Sequence, residues 1–220
     1  MRNIIIILIE TIICYSSMIL LYKKYKTDGL YTYGIIASFL SSILTLKQID
    51  IMSIGIPTGL ALTTSIIIAG NIITQKRGKE EIKEYLILII LTIFFSSLFL
   101  NISGIIESSK YNELANNSYN NIFKYNLKPY LALTLSLGLS IYCSNKLYYL
   151  LKRLQNKIYI SNIFSIIIIE LLENTIFVLT LYLFNYTVIN IILCIIFRYL
   201  IKAIIGIIGT IPIYICNKIN

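Results

Sequence analysis

The chain has 220 residues, of which 57% are hydrophobic and 13% charged, with a formal net charge of +9 and a mean hydropathy of +0.81. Soluble domains carry roughly 25% charged residues, and here the charges gather in short clusters between long apolar runs. This excludes a cytosolic enzyme, a disordered chain and a disulfide scaffold, and indicates a polytopic membrane protein with one domain over residues 1–220.

The sequence has no His and no Trp. Imidazole catalysis and histidine-built zinc sites are therefore excluded. Cys14, Cys143, Cys194 and Cys216 are single and widely spaced, and read as small buried residues of membrane helices, with no redox pair and no metal site. Neither a metal nor a cofactor is expected. The positive charge fits the Lys/Arg bias of membrane loops better than a nucleic-acid surface, so the partners expected are the lipid bilayer and a small molecule, with no nucleic acid.

In chain order, Met1-Arg2-Asn3 leads into an apolar run that Glu10 interrupts. No small-x-small cleavage site follows, so this run is read as an uncleaved first span. A spanning helix needs about 20 mostly apolar residues, and seven candidates occur: Ile4–Leu21, Leu30–Leu46, Ser53–Ile73, Leu86–Ile106, Tyr130–Leu151, Ile163–Phe184 and Val188–Ile215. They do not alternate with period two, which excludes a barrel. The third contains Gly55, Pro57, Gly59, Gly70 and a Thr/Ser cluster and is expected to be kinked or partly unwound. The last is too long for an upright helix and is expected to tilt or to continue past the bilayer. Pro129 sits where a helix would begin. The expected fold is an all-α polytopic bundle of about seven transmembrane helices.

Seven spans place Lys23, Lys24, Lys26, Lys76, Arg77, Lys79, Lys83, Lys152, Arg153, Lys157 and Lys218 on one side of the membrane. Arg2, Lys47, Lys110, Lys124 and Lys128 fall on the other. Eleven cations against five predict the N-terminus outside and the C-terminus inside, and the expected location is a bacterial plasma membrane. The Asn-rich loop 107–129 then lies outside, and a short turn near Asn185 joins the last two spans as antiparallel neighbours.

Glu10, Glu170, Glu173, Arg198 and Lys202 remain inside spans, with Lys146 less deep. Each costs roughly 2.5–3.5 kcal/mol at mid-span and normally faces a bundle interior or a wet cavity. Glu170, Glu173, Asn174 and Phe177 fall at i, i+3, i+4 and i+7, on one face of the sixth span. Arg198 and Lys202 share a face of the seventh. Two readings fit: an interhelical ion-pair lock, or the lining of a substrate cavity gated by that lock. Glu10 is grouped with them as a third acid against two bases. Such a site could take a cationic or hydrogen-bond-donating ligand.

The stretch from Tyr22 to Glu84 resembles the queuosine precursor transporter family (VUT or YhhQ type). In that family a Gly-Leu opens a second span ending in Lys, a Phe-Gly-Leu-Pro-Ala-Gly-like segment follows, and a polar span closes on Asp-Ile-Ile-Asn-Glu-x-Tyr-Gly-Lys. The chain has Gly29-Leu30, Leu46-Lys47, Ile54-Gly55-Ile56-Pro57-Thr58-Gly59 and Asn71-Ile72-Ile73-Thr74-Gln75-Lys76-Arg77-Gly78-Lys79. Towards the C-terminus, Glu170-Leu171-Leu172-Glu173-Asn174-Thr175-Ile176-Phe177 is similar to the family's Gln-Leu-Ile-Asp-Thr-x-x-Phe. Tyr199-Leu200-Ile201-Lys202 and Pro212-Ile213-Tyr214 are similar to its Tyr-x-x-Lys and Pro-x-Tyr. Asn71 and Gln75 stand where the family has Asp and Glu, keeping size and hydrogen bonding but removing a charge that could hold a cation or a proton. Glu173 stands for the family's Asp and Glu170 for its Gln.

The resemblance implies a transporter, not an enzyme, for uptake of a 7-deazaguanine nucleobase such as 7-cyano- or 7-aminomethyl-7-deazaguanine or queuine. Glu170 or Glu173 would accept the ring's adjacent N–H groups, Asn71, Gln75 and Asn174 would read its carbonyl edge, and Phe177 would stack on it. The alternative is a binding subunit of a larger energised complex for a vitamin-like molecule. Whether the partner is a second copy or an energising protein is left open.

Overall fold

A computed structural model describes residues 2–219 except 52–53, 108, 110, 112, 125, 156–157 and 184–185. Among the described residues it has eight helices and one strand hairpin: α1 (Arg2–Leu44), β1 (Gln48–Ile51), β2 (Ile54–Pro57), α2 (Leu60–Arg77), α3 (Ile82–Ile105), α4 (Glu113–Phe123), α5 (Lys128–Gln155), α6 (Ile158–Tyr182), α7 (Val188–Ile208) and α8 (Thr210–Lys218). The protein is an all-α polytopic membrane bundle. Four helical stretches are long and apolar enough to cross a membrane: Arg2–Leu44, Ile82–Ile105, Ile158–Tyr182 and Val188–Lys218. Large apolar side chains such as Ile12, Leu20, Phe99 and Ile204 are more than half exposed on its outside, a surface suited to lipid tails.

The first two expected spans are the two arms of α1. At Lys26 the backbone leaves helical geometry (φ 54°, ψ −136°) and the chain doubles back. A Cβ on Gly29 would lie 2.2 Å from the Leu21 carbonyl oxygen, so only glycine permits this crossing. The reversal brings residue 3 next to residue 50, where Asn3 Nδ2 donates to the Asp50 carbonyl at 3.0 Å.

The third expected span is broken. Its first residue, Ser53, lies outside the described residues, and Ile54–Pro57 is extended, paired antiparallel with Gln48–Ile51. Gly59 then takes φ +80°, which favours glycine, and starts α2 at Leu60. Every residue from Leu60 to Thr74 is buried, as expected of a helix surrounded by others on all sides. The strand hairpin is tied to α1 by Thr58, whose Oγ1 donates to the Leu44 carbonyl at 2.5 Å and whose N–H reaches the Lys47 carbonyl at 2.9 Å.

Two further departures concern the outer loop and the last span. Part of the expected outer loop is helical, as α4. The last expected span divides at Gly209 into α7 and α8, because Pro212 has no N–H and its ring crowds the carbonyl four residues back, at Ile208. Pro129 lies in the first turn of α5, as expected. The turn at Asn185, and Lys110 and Lys157 of the charge count, lie outside the described residues.

Chain connections gather at two ends of the bundle. At one end Arg77 pairs with Asp28 at 2.6 Å and the Tyr31 hydroxyl donates to the Glu81 carboxylate at 3.1 Å. At the other, Leu46 and Gln48 share a cavity wall with Asn126, Lys128 and Tyr186.

Candidate functional site

Helices α6 and α7 run antiparallel in close contact, because Gly206 admits a neighbour. A Cβ there would lie 2.3 Å from Ile166 Cγ2. Moving up α7 by turns from Gly206 to Lys202, Arg198 and Cys194 moves down the facing side of α6, past Glu170, Glu173 and Phe177. The two charged faces inferred from the sequence therefore meet.

Glu170, Glu173, Asn174, Phe177 and Lys202 are fully buried, and Arg198 is 2% exposed. Lys202 Nζ donates to Glu173 Oε2 at 2.8 Å and lies 2.7 Å from Glu170 Oε2 in an ion contact without hydrogen-bond alignment. Arg198 Nη2 donates to Glu173 Oε1 at 3.1 Å. Glu173 thus bridges both cations, and its Oε1 also accepts from Ser136 on α5 at 3.4 Å. Two acids against two bases leave the quartet neutral, which allows it to sit in a low-dielectric interior. The Arg198 guanidinium lies 3.7 Å from the centroid of the Phe177 ring, a stacked cation–π contact.

The quartet retains unused hydrogen-bonding capacity. Among the described residues, both Glu170 carboxylate oxygens, Asn174 Oδ1, and Arg198 Nε and Nη1 have no hydrogen-bond partner. The Asn174 amide nitrogen is turned back to the Glu170 carbonyl at 2.6 Å. A cavity of about 120 Å³, lined by Gly55, Tyr182 and Cys194 among others, opens one helical turn beyond Arg198, against β2.

Glu10 does not join the quartet. Among the described residues it forms no ion pair, and its Oε1 is without a partner. It lines a separate cavity of about 300 Å³ with Arg2, Lys47, Thr58 and Gly59. A charge inside an expected span grouped it with Arg198 and Lys202, but the first arm of α1 carries it to a different cavity.

Asn71 and Gln75 also lie elsewhere, in a ladder of amides and hydroxyls around α2. Asn71 Nδ2 donates to Asn162 Oδ1 at 3.0 Å, and its Oδ1 accepts from Ser144 at 3.0 Å. Gln75 Oε1 accepts from the Tyr148 hydroxyl at 2.9 Å, and its Nε2 donates to Asn217. Thr74 donates to Asn145. Both ends of both amides are engaged, joining α2 to α5, α6 and α8. Asn162 is eight residues from Glu170, about 12 Å along α6 at 1.5 Å per residue. The sequence reading missed Ser144, Asn145, Tyr148, Asn162 and Asn217. Their signal was available as polar residues interrupting apolar runs, with Ser144 and Tyr148 spaced i, i+4 like Asn71 and Gln75.

Residues 57–216, well over half of the chain, match the family described as "putative vitamin uptake transporter". The chain belongs to this family. Membership places it among membrane uptake transporters of vitamin-like compounds, and the family likeness drawn from the sequence holds. The match contains the ion-pair quartet and all of the amide ladder but Asn217, and begins after Glu10, α1 and β1. No curated protein and no solved structure matches the chain.

Proposed function

We propose that this uptake transporter carries a 7-deazaguanine precursor of queuosine through the buried face shared by α6 and α7. The observation that carries the reading is the incompletely satisfied set on that face: a carboxylate held by an ion contact to Lys202 without an aligned hydrogen bond, an amide oxygen and two guanidinium donors without partners, beside an aromatic ring. Leaving such groups buried without partners costs about 1–3 kcal/mol each. A guanine-like base supplies adjacent N–H donors for Glu170, a carbonyl for Arg198 and a flat ring for Phe177.

In the closed arrangement, Lys202 neutralises Glu170 and the Arg198 guanidinium covers Phe177. An entering base would displace Arg198 from the ring and take the place of Lys202 at Glu170, with Glu173 retaining both cations. The lock and the binding site are then one device: the ion pairs close the path until a ligand with matching donors opens it. Strand β2 lies over the cavity next to Arg198, where non-helical backbone is tolerated because it lines a cavity, and its movement would admit substrate from that end. The reading includes a plasma-membrane location with the N-terminus outside, as the eleven-to-five distribution of cations supports.

The test is uptake of labelled 7-cyano-7-deazaguanine into a bacterial host that cannot make queuosine. Expression of the chain should bring label into tRNA, and Glu173→Gln, inserted at equal level, should not. Equal labelling with and without the protein would reject the substrate assignment.

A further inference from the structure

At the end of the bundle where Arg77 pairs with Asp28, a groove of about 510 Å³ runs between the start of α3 and the last turns of α5. Lys79, Lys83, Lys146 and Arg153 line it, and the one acid there, Glu80, is paired with Lys83 at 3.0 Å. Four cations less one acid leave an excess of three positive charges. All four cations are exposed. Among the described residues no carboxylate lies within ion-pair distance of Lys79, Lys146 or Arg153.

Lys146 is the anomaly. It lies seven residues inward of Arg153, about 10 Å along α5, on an exposed face of a helix that the sequence reading expects to span the membrane. A cation at that depth must snorkel to the interface or meet an anion. Its ammonium sits 4.2 Å over the ring of Tyr142, and Lys79 lies 5.8 Å over Tyr149. Tyr142 and Tyr149 are both about 40% exposed, as is usual for Tyr rings in the interfacial belt. Leu150, 55% exposed, adds an apolar wall. The groove thus carries cations along its whole length, Lys146 deepest, beside the exposed side chains of Tyr142, Tyr149 and Leu150. Cations interleaved with exposed aromatic and aliphatic side chains suit a phospholipid, which brings an anionic head group and an apolar chain together.

We propose that this groove binds one anionic glycerophospholipid, its phosphate among Lys79, Lys146 and Arg153 and its acyl chain along Tyr142 and Leu150. Lys83 is already paired with Glu80 and contributes less. The site is independent of the transported base and of the α6–α7 face.

The test is native mass spectrometry of the detergent-purified full chain exposed to an equal mixture of phosphatidylglycerol and phosphatidylcholine. Each cation near a membrane surface is worth about a fivefold preference for an anionic lipid. Wild type should retain one phosphatidylglycerol at least tenfold over phosphatidylcholine, Lys146→Gln should lower that preference about fivefold, and Lys146→Arg should keep it. These residues are exposed, so the variants should elute as the wild type does. Equal retention of the two lipids by wild type would overturn the proposal, as would an unchanged preference in a Lys79→Gln/Lys146→Gln/Arg153→Gln variant. Displacement of the lipid by inorganic phosphate alone would also overturn it, leaving only a free-anion site.

Discussion

Lys202 Nζ and Glu173 Oε2 are 2.8 Å apart with both side chains fully buried, and the same ammonium touches Glu170 at 2.7 Å. One lysine therefore compensates two carboxylates, while Arg198 assists only Glu173. Removing one partner of a buried pair typically costs about 3–5 kcal/mol, since the other charge is left uncompensated.

Lys202→Met should accordingly lower the yield of folded protein sharply. Combining it with Glu170→Gln should recover part of that yield, because one orphaned carboxylate has been neutralised. The recovered double variant should not transport. Size-exclusion profiles and thermal midpoints of the single and double variants measure the first two outcomes. A Lys202→Met protein as stable as wild type would contradict the buried lock.

Gly206 sets the distance at which these charges meet. Gly206→Ala places a methyl within 2.3 Å of Ile166 Cγ2 and should destabilise by about 1–3 kcal/mol through overpacking. Ile166→Ala removes the opposing atoms at the cost of a cavity, so the loss in the Gly206→Ala/Ile166→Ala double variant is expected to be clearly smaller than the sum of the two single losses. Additive losses in the double variant would mean that the two residues do not share one contact.

The amide ladder should behave as a scaffold. Asn71→Ala leaves Asn162 and Ser144 without their partners and should cost about 1–3 kcal/mol, while base affinity of the folded fraction stays within about twofold. Gln75→Ala should act alike through Tyr148 and Asn217. A loss of affinity far larger than the loss of stability would return Asn71 and Gln75 to the binding site.

Orientation is open to direct labelling. In a background without the native cysteines, Asn117→Cys should react with an impermeant maleimide on intact cells, and Lys79→Cys only after permeabilisation. The reverse pattern would invert the bundle and move the basic groove to the outer leaflet.

Apolar run length made the bundle legible in the sequence, since hydropathy reports directly on contact with lipid. The helical periodicity of Glu170, Glu173, Asn174 and Phe177, and of Arg198 with Lys202, gave the face where α6 and α7 meet. What failed depended on tertiary position. Ile54–Pro57 is too short and too uniformly apolar to announce a strand. The break at Gly209 comes from Pro212 three residues later, inside a run that stays apolar on both sides of it. Glu10 carries the same charge signal as Glu170, and only the packing of α1 assigns it to another cavity. Asn71 and Gln75 read as ligands through the family likeness, and no local pattern shows their partners, since Asn162 and Asn217 lie on helices far along the chain.

The central claim is that Glu170 and its neighbours receive a deazaguanine base. The most direct measurement is uptake of radiolabelled 7-cyano-7-deazaguanine by proteoliposomes holding purified wild type or Glu170→Gln, with excess unlabelled adenine as competitor. The account predicts accumulation by wild type that adenine, lacking the carbonyl and the adjacent N–H pair, does not suppress, and at least a tenfold lower rate for a folded Glu170→Gln protein. Equal uptake by the two proteins, or full competition by adenine, would contradict it.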